Sequence, residues 1–356
     1  MRPNPSLSTL PPCRAAVRAA RRSSLALLLA ASAAGSLGCS SFILGKAADG
    51  LSSGTGGSFA RDDDPKLVGD AIPFALKTME SLADQLPEHA GLRLSLASGF
   101  TQYGYAFVQA DADELDEKEP ARAAEMRHRA KRLYVRARDY GLAGLQIRRG
   151  ITIEELRKSD EARAAALGKA GKDDVPMLYW TLVPWAAAIA AEKRDLALVG
   201  DLPIIAAMLD RALALDPNWQ EGTLQEFSLA FDSARAGGTT QEAAKAHYEL
   251  ALELSHGNRL SVKVSWAENA AVAAQDKEAF EKLLHEVLAF DTDALAVRDL
   301  RLANLIAQRR AKFLLAHEDD LIAGRVQLRD AVAAAGASQV SVADARFAPL
   351  PAGAIR

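Results

Sequence analysis

Residues 202–219, LPIIAAMLDRALALDPNW, decide how this chain folds. Ile205, Leu209 and Ala212 fall four and then three residues apart, so they share one helix face. Pro217 then ends the helix, and Asn218-Trp219 starts the next. Compact residues on either side of a large one let a neighbouring helix approach closely while the large side chain fills its groove.

The same register recurs along the chain. It appears at Ala75, Met79 and Leu82 with Pro87, at Ala130, Tyr134 and Ala137, at Ala244, Tyr248 and Ala251, and at Ala279 and Leu283 with Asp291 in the proline place. This is the signature of the second helix of a tetratricopeptide repeat, whose period is about 34 residues. The last three instances begin 39 and 35 residues apart, whereas the earlier intervals of 55 and 75 imply inserted helices. The competing reading is an alanine-rich bundle without repeats. Both give an all-α protein of antiparallel helix pairs, a TPR-like α-solenoid or bundle, because alternating β-branched runs are nearly absent.

Working outward, Asp62-Asp63-Asp64-Pro65 reads as a capped helix start, with the helix running to Leu86. Further helices are expected at 89–110, 120–146, 152–168, 176–192, 201–215, 219–236, 240–255, 260–274, 276–290 and 294–318. The repeat body is therefore assigned to 62–322. Residues 323–356, rich in Ala and Gly with Pro349 and Pro351, are expected to be a partly disordered tail.

The first 38 residues carry five arginines and no acid, then the apolar stretch Leu25–Ala31, then Ser36-Leu37-Gly38-Cys39. This reads as a secretory signal that resembles a bacterial lipoprotein signal, with Cys39 as the acylated residue and membrane anchor; the alternative is simple secretion with Cys39 unmodified. Ser36 stands where such signals usually have Leu. Ser40 resembles the outer-membrane sorting pattern, so the expected address is periplasmic and lipid-anchored, at the outer membrane. Arg21-Arg22 leaves twin-arginine export open. Residues 39–61, Gly/Ser-rich, read as a flexible linker.

The chain has 356 residues, 49% of them hydrophobic, with 43 basic and 46 acidic side chains. Losing residues 1–38 leaves 38 basic against 46 acidic, net −8. No apolar run reaches the roughly 18–20 residues of a spanning helix, and nothing in the charge balance suggests nucleic acid. Neither cysteine, Cys13 or Cys39, remains for a disulfide in the body.

No catalytic motif is present, so no enzyme activity is expected. Six scattered histidines offer no zinc ligand set, and no metal or other cofactor is expected. Asp111, Asp113, Glu114, Asp116, Glu117 and Glu119 read as a solvated acidic loop that lacks the glycine and closing Glu of a calcium loop. Aromatic residues are concentrated instead. Tyr103, Tyr105 and Phe107 cannot all face one core stripe, and Pro184 interrupts the helix that carries Trp180 and Trp185. These five are the candidates for a ligand cavity.

The segments LRLSLASGFTQYGYAFVQ (92–109), AKRLYVRARDYGLAGL (130–145), DVPMLYWTLVPWAAAIAA (174–191), LDRALALDP (209–217) and RLANLIAQRRAK (301–312) closely resemble the T component, TatT, of tetratricopeptide-associated TRAP (tripartite ATP-independent periplasmic) transporters. The resemblance runs from about Cys39 to Ile322. It implies a helical lipoprotein with cryptic repeats, homo-oligomeric as a trimer, with a hydrophobic through-pore. It also implies a periplasmic substrate-binding protein as partner, and small, apolar organic acids as cargo. A repeat scaffold for outer-membrane or envelope assembly is the alternative function.

Overall fold

A computed structural model describes residues 57–234 and 240–323. The signal segment, Cys39, most of the linker and the tail from 324 lie outside the described residues. Among those described, every regular element is a helix.

Helix α1 (Pro65–Gln85) starts where the acid–proline sequence predicts, with Asp64 accepting from the Leu67 N–H at 3.0 Å. Helix α2 (Ala90–Tyr103) continues through a π-helical turn, Gly104–Gln109, into α3 (Ala110–Leu115). Next comes α4 (Pro120–Arg149), opened by proline and closed by Gly150 at φ 62°. The single helix expected at 152–168 is two, α5 (Ile153–Lys158) and α6 (Asp160–Gly168), because the Ser159 hydroxyl caps α6 afresh. Helix α7 (Val175–Ala191) is apolar nearly all round, as a central helix must be. A short α8 (Leu196–Val199), not expected from the sequence, precedes α9 (Leu202–Leu215).

Helix α10 (Trp219–Ala234) begins with a left-handed turn: Gln220, Glu221 and Gly222 have φ of 43°, 54° and 87°. Non-glycine residues resist this conformation by roughly 1–2 kcal/mol each. The turn is held by Gln225 Nε2 on the Pro217 carbonyl at 2.9 Å and by Arg259 Nη2 on the Gln220 carbonyl at 2.9 Å. Gly222 is required on a second count, since a Cβ there would lie 2.9 Å from Ala251 Cα. Helices α11 (Gln241–Leu254) and α12 (Leu260–Ser265) follow. A second π-helical turn, Trp266–Ala271, leads into α13 (Val272–Ala274), and then come α14 (Lys277–Ala289) and α15 (Arg301–Ala316).

Two apolar cores result. The larger runs from Leu76 to Phe231 and centres on α2, α4 and α7; the smaller gathers α12, α14 and α15 around Phe280 and Leu284. Helices α4 and α7 touch so closely that a Cβ on Gly141 would lie 2.3 Å from Thr181 Oγ1. The repeat positions Ala130, Tyr134, Ala137, Ile205, Leu209, Ala212, Ala244 and Ala251 are all buried. On α1 and α14 the buried face sits one residue later than the repeat register predicts, at Leu76, Glu80 and Ala83 and at Phe280, Leu284 and Val287. Helix α1 packs chiefly on α2, whereas α14 packs on α15, on the second π-helical turn and on α12.

The N-terminal end closes onto α15. Leu302 N–H donates to the Ala60 carbonyl at 3.0 Å, and Arg61 pairs with Asp299 at 2.5 Å. The last residues assigned to the linker are thus fixed to the body.

Asp174 is fully buried and ties the end of α4 to α7 through Arg148 (2.6 Å), Arg149 (2.5 Å) and the Gly171 N–H (2.8 Å). Burial alone would push its carboxyl up. The Gly171 N–H and the two guanidinium groups outweigh that and hold it below the ordinary carboxylate range. Because the folded value is depressed, the stabilisation is complete above the unfolded value near 3.9 and is lost as pH falls below it. Asp174→Asn should cost about 2 kcal/mol at pH 7. In denaturant titrations at pH 7, 5, 4 and 3, its stability should fall less steeply below pH 4 than that of the wild type; parallel curves would refute this account.

Candidate functional site

The two halves of the array are joined on one side by α10 and α11 and on the other by an ion-pair clasp. Arg309 Nε reaches Glu114 at 2.6 Å and its Nη2 reaches Asp111 at 2.7 Å. Arg310 turns the other way, to Asp113 at 2.9 Å and to Glu268 of the second π-helical turn. Adjacent residues on a helix diverge by about 100°, so the Arg pair of α15 serves two faces, while Asp111 and Glu114, three apart on α3, share one. Arg127 adds contacts to Asp116 (2.7 Å) and Asp113 (3.5 Å). The acidic stretch is therefore not a solvated loop: Ala110–Leu115 is helical, and three arginines occupy its carboxylates. Among the described residues no cluster of His, Cys, Asp and Glu could hold a metal ion.

Inside the clasp lies a recess. Tyr105 has 46% of its surface exposed, yet desolvation by surrounding protein pushes its phenol up to about 12. Glu268, Arg310, Glu226 and Asp113, from four elements, are close enough to act on that phenol. The void that Tyr105 lines together with Asp113, Glu114, Arg309, Arg310 and Phe313 has a volume of about 20 Å³. Tyr179 stands in the same surroundings, with burial raising its phenol well above the ordinary range and Glu226 adding to the shift. Burial likewise raises the Glu226 carboxyl, against the opposing charge of Arg259 and a bond from Ser261. In the folded state Glu226 thus keeps its proton to higher pH than an ordinary glutamate.

Aromatic rings extend the wall. Tyr179 contacts Trp180 edge-on at 5.0 Å, Trp219 at 4.9 Å and Phe227 at 6.3 Å between centroids, and Phe227 stacks on Phe231 at 5.5 Å. Tyr105 and Glu268 both sit on π-helical turns, a distortion common at functional sites because it redirects side chains.

The five aromatic residues singled out from the sequence separate. Tyr105 faces the recess and Trp180 adjoins it through Tyr179. Tyr103 is buried, its hydroxyl accepting from Arg129 at 3.2 Å, and Phe107 packs over Gly69 of α1. Trp185 has no accessible surface at all and lies under Arg138. The sequence reading missed Glu226, Glu268, Arg310 and Phe227. Tyr179, beside Trp180, was visible as part of an aromatic run, but the acids and arginines are brought in by tertiary structure alone.

Packed helix pairs, none of them among the described residues long and apolar enough to cross a membrane, define a helical-repeat protein. The chain matches the family model described as TRAP transporter T-component over residues 61–322. It is also similar to an uncharacterized protein of Treponema pallidum (strain Nichols), 30% identical over 267 residues that cover 74% of this chain and 81% of the relative. The chain belongs to the TRAP transporter T-component family, whose members are transporter components rather than enzymes.

Proposed function

We propose that this protein is the lipid-anchored periplasmic subunit of a TRAP-type transporter, moored at the outer membrane through Cys39 once residues 1–38 are removed. It assembles as a homo-oligomer, a trimer by family resemblance. It docks a periplasmic substrate-binding protein, and a small apolar organic acid passes through the recess.

The observation that carries this reading is Tyr105, a half-exposed ring in desolvating surroundings, backed by Tyr179, Trp180, Trp219 and Phe227. Such a wall suits an apolar solute, and burial of Glu226 disfavours its charged form, which would repel an acid. The family match supports the transporter association.

The test is crosslinking and purification of the tagged full-length protein from its own envelope, with mass spectrometry of what co-purifies. A periplasmic substrate-binding protein should be enriched at least ten-fold over an untagged control. Enrichment of outer-membrane assembly subunits in its place would favour the scaffold function and overturn this one.

A further inference from the structure

Outside the clasp, α3, the first turns of α4 and the end of α15 border an open surface cleft of about 610 Å³. This falls within the roughly 300–1,000 Å³ of small-molecule sites. Leu115, Met126, Phe313 and Ala316 provide apolar walls, while Lys118, Arg122 and Lys312 stand around them.

The state of each charge is informative. Asp111 and Glu114, which also line the cleft, are already bound by Arg309, and Arg122 is paired with Glu119 at 3.2 Å. Lys118 and Lys312 are both exposed; Lys118 stands close enough to Glu114 to help lower its carboxyl, but neither lysine makes a side-chain hydrogen bond or ion pair to a described residue. The cationic heads of the cleft that no carboxylate holds by a hydrogen bond are thus two ammonium groups above an apolar surface.

We infer that this cleft binds an amphipathic carboxylate, its head between Lys118 and Lys312 and its hydrocarbon body along Leu115, Met126 and Phe313. A lysine ammonium is a mobile point charge that accepts a carboxylate without fixed bidentate geometry. The head carries a single charge, because Glu117 and Glu119 at the rim oppose a multiply charged anion. The apolar walls exclude small hydrophilic acids such as succinate by giving them nothing to bury.

The cleft lies on the route to the recess. It shares Glu114, Arg309 and Phe313 with a void of about 20 Å³, room for one water, that also touches Tyr105. Arg309 and Glu114 of the clasp line both spaces, which makes the cleft an outer holding site and the recess an inner one. This ordering rests on the transport reading; the site itself does not.

The test titrates the purified chain, residues 40–356, with decanoate below its micellar concentration by calorimetry. Micromolar affinity is expected, with succinate at least ten-fold weaker. Lys118→Gln/Lys312→Gln should weaken decanoate at least ten-fold with an unchanged melting temperature, since neither lysine holds the fold. Met126→Asp should do the same through the apolar wall. Absence of decanoate binding, or wild-type affinity in the double lysine variant, overturns the cleft site. If Tyr105→Ala abolishes binding while the lysine variant retains it, the ligand sits in the recess: the cleft fails and the transport reading survives. Failure of the envelope co-purification alone would leave the cleft standing.

Discussion

Replacing both clasp arginines by glutamate, Arg309→Glu/Arg310→Glu, is expected to destabilise the folded protein by about 5 kcal/mol. The pair engages Asp111, Glu114, Asp113 and Glu268. Exposed ion pairs are worth roughly 0.2–1 kcal/mol each, but Arg310 and Asp113 are each only 19% exposed, where losing a partner costs more, up to about 3–5 kcal/mol. Reversal then adds repulsion within a cluster of six acids. At roughly 2–4 °C per kcal/mol for a body of this size, the melting temperature should drop by about 10 °C or more. The charge-swapped variant that adds Asp111→Arg and Asp113→Arg should recover at least half of that loss. A drop below about 2 °C, or no recovery on swapping, would mean that the clasp does not hold the halves together. The Arg309 single variant should be milder than that of Arg310, because its partners Asp111 and Glu114 are each 43% exposed.

Trp185→Ala should cost about 4 kcal/mol, the usual scale for deleting a fully enclosed tryptophan. Among the described residues Trp185 is the largest side chain with no accessible surface, and no other ring there is both so large and so completely covered. The same residue was a candidate for a ligand cavity, so the measurement separates two roles. A core residue gives a large loss in denaturant midpoint, and its fluorescence resists acrylamide. A residue rimming a void loses less than about 1 kcal/mol on truncation and is readily quenched. In variants carrying one tryptophan each, obtained by conservative Phe replacement, Trp180 should be quenched more strongly than Trp185.

The helices were legible in the sequence because their signals are local. Asp64-Pro65, Pro120 and Gly150 act within one turn of the backbone, and Ala130, Tyr134 and Ala137 repeat at the spacing of a single face. The repeat signature lost phase at α1 and α14, where Leu76, Glu80 and Ala83 and then Phe280, Leu284 and Val287 carry the buried face in its place. The π-helical turns were hidden because no residue type signals them: Gly104–Gln109 and Trp266–Ala271 read as ordinary helix interior. Trp180 and Trp185 looked alike in the sequence, but five residues place them about 140° apart, one towards the aromatic wall and the other into the core. The clasp was illegible for a simpler reason: Arg309 and Asp111 are 198 residues apart, and a run of acids looks solvated until its partners arrive.

That separation orders the making of the molecule. A ribosome delivers Asp111 and Asp113 long before the arginines that neutralise them, and Arg61 waits 238 residues for Asp299. Each such closure must overcome the chain entropy of a very long loop, a cost that grows as about (3/2)RT ln n. Until Arg309 and Arg310 emerge, the growing polypeptide carries an uncompensated acidic edge and an unfinished interior. A nascent fragment ending before residue 309 therefore lacks the fastening on which the enclosed space depends.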